Sequence, residues 1–88
     1  MPAKTYVVAV DARVRKDLAG FDRDVQRRIV AKMETLATDP RPDGCTKLKG
    51  EEDVYRVRVG DYRIIYQVRD KELLVLVVRV GHRRDVYR

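Results

Sequence analysis

Three strand-like runs near the carboxyl end of the sequence constrain the fold more than any other feature. Residues 54–59, 62–69 and 73–80 are rich in β-branched and aromatic side chains, and they are separated by Gly60-Asp61 and by Asp70-Lys71-Glu72. Runs of six to eight such residues between short turn segments predict a three-stranded antiparallel meander. The rest of the chain then has to cover one face of this sheet.

Alternation along the first hairpin separates charge from apolar surface, because successive side chains of a strand point to opposite faces. One face of the first strand carries Tyr55, Val57 and Val59. Arg56 and Arg58 point to the other face. A two-residue turn at Gly60-Asp61 places Arg58 opposite Arg63, so three guanidinium groups lie close together. Like charges opposite one another destabilise a sheet, and the cluster therefore predicts an anionic ligand.

Two helices are predicted ahead of the meander. After a first strand at residues 4–10, Asp11 is a candidate N-cap for a helix that ends near Ala19, before Gly20. A second helix begins near Asp22, and its buried stripe consists of Val25, Ile29, Met33 and Leu36. Its opposite face carries Arg23, Gln26, Arg27 and Lys32. A charged helix face of this kind is typical of a solvated surface.

Together these elements predict an α+β fold, one domain over residues 1–88, in the order β-α-α-β-β-β with a short C-terminal tail. Two helices pack on one face of a largely antiparallel four-stranded sheet. The covered face consists of Tyr55, Val57, Ile64, Tyr66 and the even-numbered positions of the last strand. Residues 73–80 are apolar on both sides, which indicates a central strand with the first strand as its other neighbour. For the same reason the pattern does not fix the last hairpin's register or the face of Arg79.

Composition narrows the class of partner. The 88 residues include 20 Lys and Arg against 14 Asp and Glu, a net charge of +6. This excess favours polyanions or acidic proteins as partners. Cys45 is the only cysteine and is predicted to be inert, and one histidine is too few for a structural zinc site. The sequence has no signal-peptide pattern and no apolar run of about 20 residues, so we expect a cytoplasmic protein that does not enter a membrane.

Four segments resemble the RelE branch of the RelE/ParE superfamily of toxins. They are Lys47-Leu48-Lys49-Gly50, Val54-Tyr55-Arg56-Val57-Arg58, Asp61-Tyr62-Arg63-Ile64-Ile65-Tyr66 and Val80-Gly81-His82-Arg83-Arg84-Asp85-Val86-Tyr87. The resemblance implies the toxin of a type II toxin-antitoxin pair, a ribosome-dependent endonuclease of messenger RNA (an mRNA interferase) neutralised by an acidic, RelB-like antitoxin. Carried over by position, the catalytic residues are Arg56, Arg58, Arg63, Arg83 and Tyr87.

The chemistry of RNA cleavage fits such a cluster. RNA supplies its own nucleophile, the 2′-hydroxyl, so the protein has to align it, accept its proton and stabilise the charge on the phosphorane. No metal or other cofactor is expected. A guanidinium group offers a planar fork of donors that matches phosphate oxygens. We expect Arg63 and Arg83 to clamp the scissile phosphate, while Arg56 and Arg58 hold the flanking backbone. The alternative is that these arginines only solubilise an exposed sheet face.

The residue that accepts the proton stays open. The best-known relatives have lysines where this chain has Arg56 and Arg58, and arginine is not a proton acceptor at working pH. Tyr87 is one candidate if nearby arginines lower its pKa, although it can also stack on a base or anchor the tail. His82 has a suitable ordinary pKa but is oriented by alternation away from Arg83. His82, Lys47 and Lys49 are predicted to contact RNA.

Two other functions remain possible from the sequence. A ParE-like protein of the same fold would inhibit DNA gyrase, although an assembled phosphate site is not needed for that task. A basic module without chemistry would bind nucleic acid or an acidic antitoxin, with a steep dependence on salt and no strand scission.

Overall fold

The computed structural model describes residues 5–82, in which two helices lie against one face of a five-stranded sheet. In chain order the elements are β1 (Val7–Val10), α1 (Ala12–Ala19), α2 (Arg23–Thr35), β2 (Thr46–Lys47), β3 (Val54–Val59), β4 (Tyr62–Arg69) and β5 (Leu74–His82). The strand order is β1-β5-β4-β3-β2, with β1 parallel to β5 and every other pair antiparallel. No helix in this part of the chain is long and apolar enough to cross a membrane.

The predicted hairpin register is confirmed. Gly60 adopts a φ of +59°, a left-handed conformation that favours glycine, and Val59 pairs with Tyr62 across the turn. Arg58 is therefore paired with Arg63. The predicted central position of β5, between β1 and β4, is confirmed as well. The sheet has five strands rather than the predicted four. The additional edge strand is β2, whose two residues are too few to be recognised from the sequence pattern.

One prediction about β5 is wrong. The alternation pattern predicts that even-numbered positions face the helices, whereas Val75 and Val77 are the fully buried residues there. The cause is a β-bulge that leaves Val78 without a partner residue. The pairs on its two sides are Tyr66 with Val77 and Ile65 with Arg79. An extra residue in one strand reverses the alternation beyond it, so the even-numbered Val80 is buried as predicted.

The core lies between the helices and one sheet face. Helix α1 packs against β5, and α2 packs against β3 and β4. The buried residues are Val14 of α1, Ile29 and Met33 of α2, and Leu36, the C-cap of α2. The predicted stripe of α2 therefore does face the sheet, and the opposite sheet face carries no helix from residues 5–82. We call that face the open face.

A polar cluster fixes the loop after α2 onto the far end of the sheet. The Arg41 guanidinium donates to both carboxylate oxygens of Asp70, at 3.1 and 2.8 Å, and to the Tyr55 hydroxyl at 2.9 Å. The Tyr6 hydroxyl donates to the same carboxylate at 2.6 Å. Nearby, the Tyr66 hydroxyl donates to the Pro40 carbonyl oxygen at 2.7 Å. Residues distant in sequence are thus joined at the end of the sheet away from the β3–β4 turn.

Tyr66 is expected to make stability fall at alkaline pH. Its burial, with a smaller effect of the nearby Cys45 thiol, raises the pKa of the Tyr66 hydroxyl above its ordinary value. The unfolded chain therefore loses this proton first, above about pH 10, and the free energy of unfolding falls as the pH rises further. Tyr66→Phe is expected to cost about 1 kcal/mol at pH 8.5, because the bond to Pro40 is lost.

Urea denaturation between pH 8.5 and 11, for the parent and Tyr66→Phe, checks this expectation. The two stability curves should converge as the pH rises, since only the parent carries the Tyr66 proton. Tyr6, whose pKa is raised mainly by its hydrogen bond to Asp70, is present in both proteins and leaves part of the alkaline loss in each. Parallel curves would show that Tyr66 titrates alike in the folded and unfolded states.

Candidate nucleic-acid interface

The open face carries the arginine cluster that the sequence predicts. Arg58 and Arg63 are direct partners across the β3–β4 hairpin, and such partners have Cβ atoms about 5 Å apart. Arg56 lies on the same face two residues earlier in β3, about 7 Å along the strand. Arg58 is exposed, whereas Arg56 and Arg63 are half-buried. The sheet therefore brings three guanidinium groups to one side.

The next strand extends this arrangement. Arg63 pairs with Gly81 of β5, a buried residue without a side chain that would compete for space above the sheet. Ile65 pairs with Arg56 on one side and with Arg79 on the other, and only 7% of its surface is exposed. The floor between these two arginines is consequently apolar. The bulge in β5 places Arg79 on the open face. The sequence pattern alone does not determine the face of Arg79.

Asp17 holds Arg79 and completes the edge of β5. Strand β1 ends opposite Val77, so the following part of β5 is flanked by α1 instead of by a strand. The Val80 backbone N–H donates to Asp17 Oδ2 at 3.1 Å, and Arg79 Nε lies 3.3 Å from the same oxygen. The Asp17 carboxylate thus accepts the backbone hydrogen bond that a carbonyl oxygen of a neighbouring strand would otherwise accept. Arg79 is partly neutralised by this ion pair and differs in this respect from Arg58, which joins no ion pair within residues 5–82.

His82 is not brought to the open face. It pairs with Tyr62, which packs on the helix side, and the two rings meet edge to face with centroids 5.5 Å apart. Tyr62 in turn meets Phe21 with centroids 4.9 Å apart. The geometry therefore separates the histidine from the arginine cluster, while its predicted orientation away from Arg83 concerns a residue outside the described part of the chain and stays a prediction. A direct RNA contact by His82 stays a prediction that this position does not favour.

The two lysines before β3 also lie apart from the cluster. Lys47 pairs with Tyr55, whose side chain belongs to the helix side, and Lys49 is exposed in the turn that follows β2. Both stand at the β2 edge of the sheet, so they are available to a large partner without lining the arginine cluster. Arg83 and Tyr87, the other predicted catalytic residues, lie outside the described residues. Their roles stay predictions.

Lys32 is a residue whose position the sequence does not indicate. The amphipathic pattern of α2 assigns it to a solvated face, whereas the structure places it half-buried in a cleft along the edge of β3 that Arg56 and Arg58 also line. Helical spacing carries one usable signal, because Arg28 and Lys32 are four residues apart and share a helix face. The pairing of that helix face with the β3 edge is a tertiary feature.

The arrangement on the open face supplies positive charge and hydrogen-bond donors. Arginine stays protonated at working pH, and each guanidinium binds a phosphate through two parallel N–H donors. Directly opposed Arg58 and Arg63 repel each other, and a bound anion relieves this repulsion. The cluster can therefore bind a polyanion and stabilise negative charge, while the proton acceptor predicted for cleavage is not among Arg56, Arg58 and Arg63.

Comparisons with known proteins identify the family of this chain. A profile of the family described as "ParE toxin of type II toxin-antitoxin system, parDE" matches residues 8–87. A protein of Methanocaldococcus jannaschii named RelE1 is 31% identical over 86 residues, which cover 94% of this chain and 96% of that protein. The mRNA interferase toxin RelE of Escherichia coli K12 is 30% identical over 86 residues, which cover 93% of this chain and 90% of that protein.

A solved complex supplies the structural match. In the crystal structure of the archaeal RelE–RelB complex from Pyrococcus horikoshii OT3, one chain superposes with a TM-score of 0.81 at 31% identity. The match covers 93% of this chain and 99% of the archaeal one.

The fold is that of solved RelE structures, and the chain belongs to the ParE toxin family of type II toxin-antitoxin systems. Its similarity in sequence and structure to RelE proteins makes it a RelE-like toxin, as the four segments of the sequence predict.

Proposed function

We propose that this toxin is an endonuclease that cuts messenger RNA on the ribosome in the cytoplasm. The observation that carries the proposal is the placement of Arg56, Arg58 and Arg63 together on the open face. The name of the 30% identical E. coli relative, an mRNA interferase, supports the same activity. The RNA backbone is the polyanion that such a surface fits, because each phosphate accepts a bidentate pair of hydrogen bonds.

In the proposed reaction the 2′-hydroxyl oxygen attacks the adjacent phosphorus and the 5′-oxygen leaves. The products are a 2′,3′-cyclic phosphate and a 5′-hydroxyl end, and no metal takes part. Arg63 and Arg83 stabilise the negative charge of the phosphorane, while Arg56 and Arg58 hold the flanking phosphates. The phosphodiester already carries one negative charge, and the additional charge of the phosphorane develops only on the way to the transition state, so donors preorganised for it lower the barrier to cleavage. Tyr87 contributes either as proton acceptor or by stacking on a base.

The proposed partners follow from the same charge. The ribosome presents the message, and an acidic, partly disordered antitoxin neutralises the toxin by folding onto it. The archaeal structural neighbour is a RelE–RelB complex, which supports an antitoxin of the RelB type. The net charge of +6 attracts an acidic chain over long range.

Inhibition of DNA gyrase is the second candidate function, and the match to the ParE toxin family favours it. The arginine cluster stands against it, because a surface that binds gyrase does not need an assembled phosphate site.

The two candidates differ in a direct assay. Purified toxin is added to ribosomes translating a defined message, and the RNA ends are mapped. The proposal predicts discrete breaks within the decoded region, with cyclic phosphate ends, and no break where the residue before the bond is a 2′-deoxynucleotide. Intact message together with loss of plasmid supercoiling by gyrase would establish the second candidate. Intact message with normal gyrase activity and salt-sensitive RNA binding would identify a non-catalytic module.

A further inference from the structure

A cleft of about 460 Å³ runs along the edge of β3, on the side away from β4. Strand β2 pairs only with Tyr55 and Arg56, so the rest of the β3 edge is left without a partner strand among residues 5–82. The cleft residues are Lys32 from α2, Asp43, Gly44 and Thr46 from the segment around β2, and Arg56, Val57 and Arg58 from β3. We call this site the β3-edge cleft.

Charge in the β3-edge cleft is predominantly positive. Three of its lining side chains are cations, and Asp43 is the single carboxylate among the described residues that line it. Lys32 is half-buried there, and within residues 5–82 neither Lys32 nor Arg58 forms an ion pair. Gathering cations around a partly enclosed space is unfavourable unless an anion occupies it.

A fourth cation lies at the same end of β3. Arg28 is one helical turn before Lys32, and a methyl group placed on Gly60 would lie only 2.8 Å from Arg28 Nη2. The absence of a side chain at Gly60 therefore lets the guanidinium rest against the β3–β4 turn. Like charges four residues apart destabilise a helix, so this pairing along the β3 edge is a second indication of an anionic ligand.

We propose that the β3-edge cleft binds a backbone phosphate of RNA, with Lys32 as its central ligand and Arg28 beside it. The proposal rests on the proposed function and extends it, because Arg56 and Arg58 line both the cleft and the open face. An RNA strand bound on the open face can therefore continue around the β3 edge and remain in contact with positively charged side chains. This continuity favours RNA over an acidic peptide as the occupant.

Binding of a 2′-O-methyl RNA oligonucleotide, whose blocked 2′-oxygen prevents cleavage, tests the proposal independently of nuclease activity. Fluorescence anisotropy with the full chain gives the dissociation constant at several salt concentrations. Lys32→Gln is expected to weaken binding roughly 3- to 10-fold and to reduce the slope of log K against log salt by about 0.7, the loss of one single-strand phosphate contact. A parallel measurement with empty ribosomes distinguishes a phosphate of ribosomal RNA from one of the message.

Lys16→Gln is the matched control, because Lys16 also lies in the last turn of a helix and is exposed away from the cleft. Both variants lose the same charge and the same interaction with a helix carboxyl end. Weaker binding of Lys32→Gln than of Lys16→Gln, to the oligonucleotide or to the ribosome, supports the proposal. Equal binding of the two variants to the oligonucleotide and to the ribosome overturns the proposal. Binding of an acidic antitoxin peptide is measured as well, and a Lys32→Gln defect confined to that peptide also overturns the proposal. If the parent protein does not cleave the message, the nuclease proposal fails, whereas the comparison of RNA binding by Lys32→Gln and Lys16→Gln still tests the proposal for the β3-edge cleft.

Discussion

Replacing Arg63 by alanine is expected to slow cleavage of ribosome-bound message by about 10²- to 10³-fold, the usual effect of removing one donor to transition-state charge. Arg63 lies on the central strand of the cluster, opposite Arg58 on one side and the buried Gly81 on the other. Its side chain is half-buried, and this partial burial limits the conformations that its donors can adopt before the phosphate arrives. Single-turnover cleavage of a defined message measures the rate.

Two further variants separate the role of Arg63 from charge in general. Arg63→Lys keeps the charge and loses the planar fork, so an intermediate rate is expected. Arg15→Ala removes an exposed arginine of α1, far from the open face, and should cleave like the parent. Denaturation midpoints of all three variants show whether a lost rate reflects a lost fold. Parent-like cleavage by a folded Arg63→Ala protein would remove Arg63 from the proposed site.

Truncating Ile29 to alanine is expected to lower the free energy of unfolding by about 2–5 kcal/mol. Ile29 is fully buried in the middle of α2, where the helix packs on β3 and β4. Natural domains are stable by about 5–15 kcal/mol, so one such cavity removes a large part of the total. Urea denaturation followed by circular dichroism measures the change.

The neighbouring Val30 provides the control, because its side chain is 41% exposed on the outer side of the same helix. Val30→Ala should change stability by no more than about 0.5 kcal/mol, since little apolar contact is lost and alanine is the better helix former. Equal destabilisation by Ile29→Ala and Val30→Ala would mean that α2 does not dock on the sheet through the predicted stripe.

Local pattern was sufficient for much of this fold. The turn at Gly60-Asp61 set the register of the β3–β4 hairpin, since a two-residue turn leaves one pairing between the flanking strands. Apolar spacing along α2 identified its buried face for the same kind of reason, because helical geometry repeats every 3.6 residues. The double-sided apolar character of β5 indicated its central position.

Local pattern did not reveal the bulge at Val78 or the two-residue strand β2. A bulge depends on how two strands fit together, and it leaves no mark in a strand that is apolar on both sides. Strand β2 forms because Thr46 and Lys47 lie beside β3, and a single β-branched residue next to a lysine is too short a run to predict a strand. The bulge also decides which sheet face carries Arg79, so the sequence pattern did not determine that face either.

The candidate site divides in the same way. Sequence alone determined that Arg56, Arg58 and Arg63 share one face, because period-two alternation and a tight turn leave no other arrangement. Tertiary structure decided that His82 packs against Tyr62 on the helix side and that Lys32 enters the β3-edge cleft. Alternation and helical periodicity act within one element, whereas the meeting of two elements is set by how their side chains pack, and that information is spread over residues far apart in the chain.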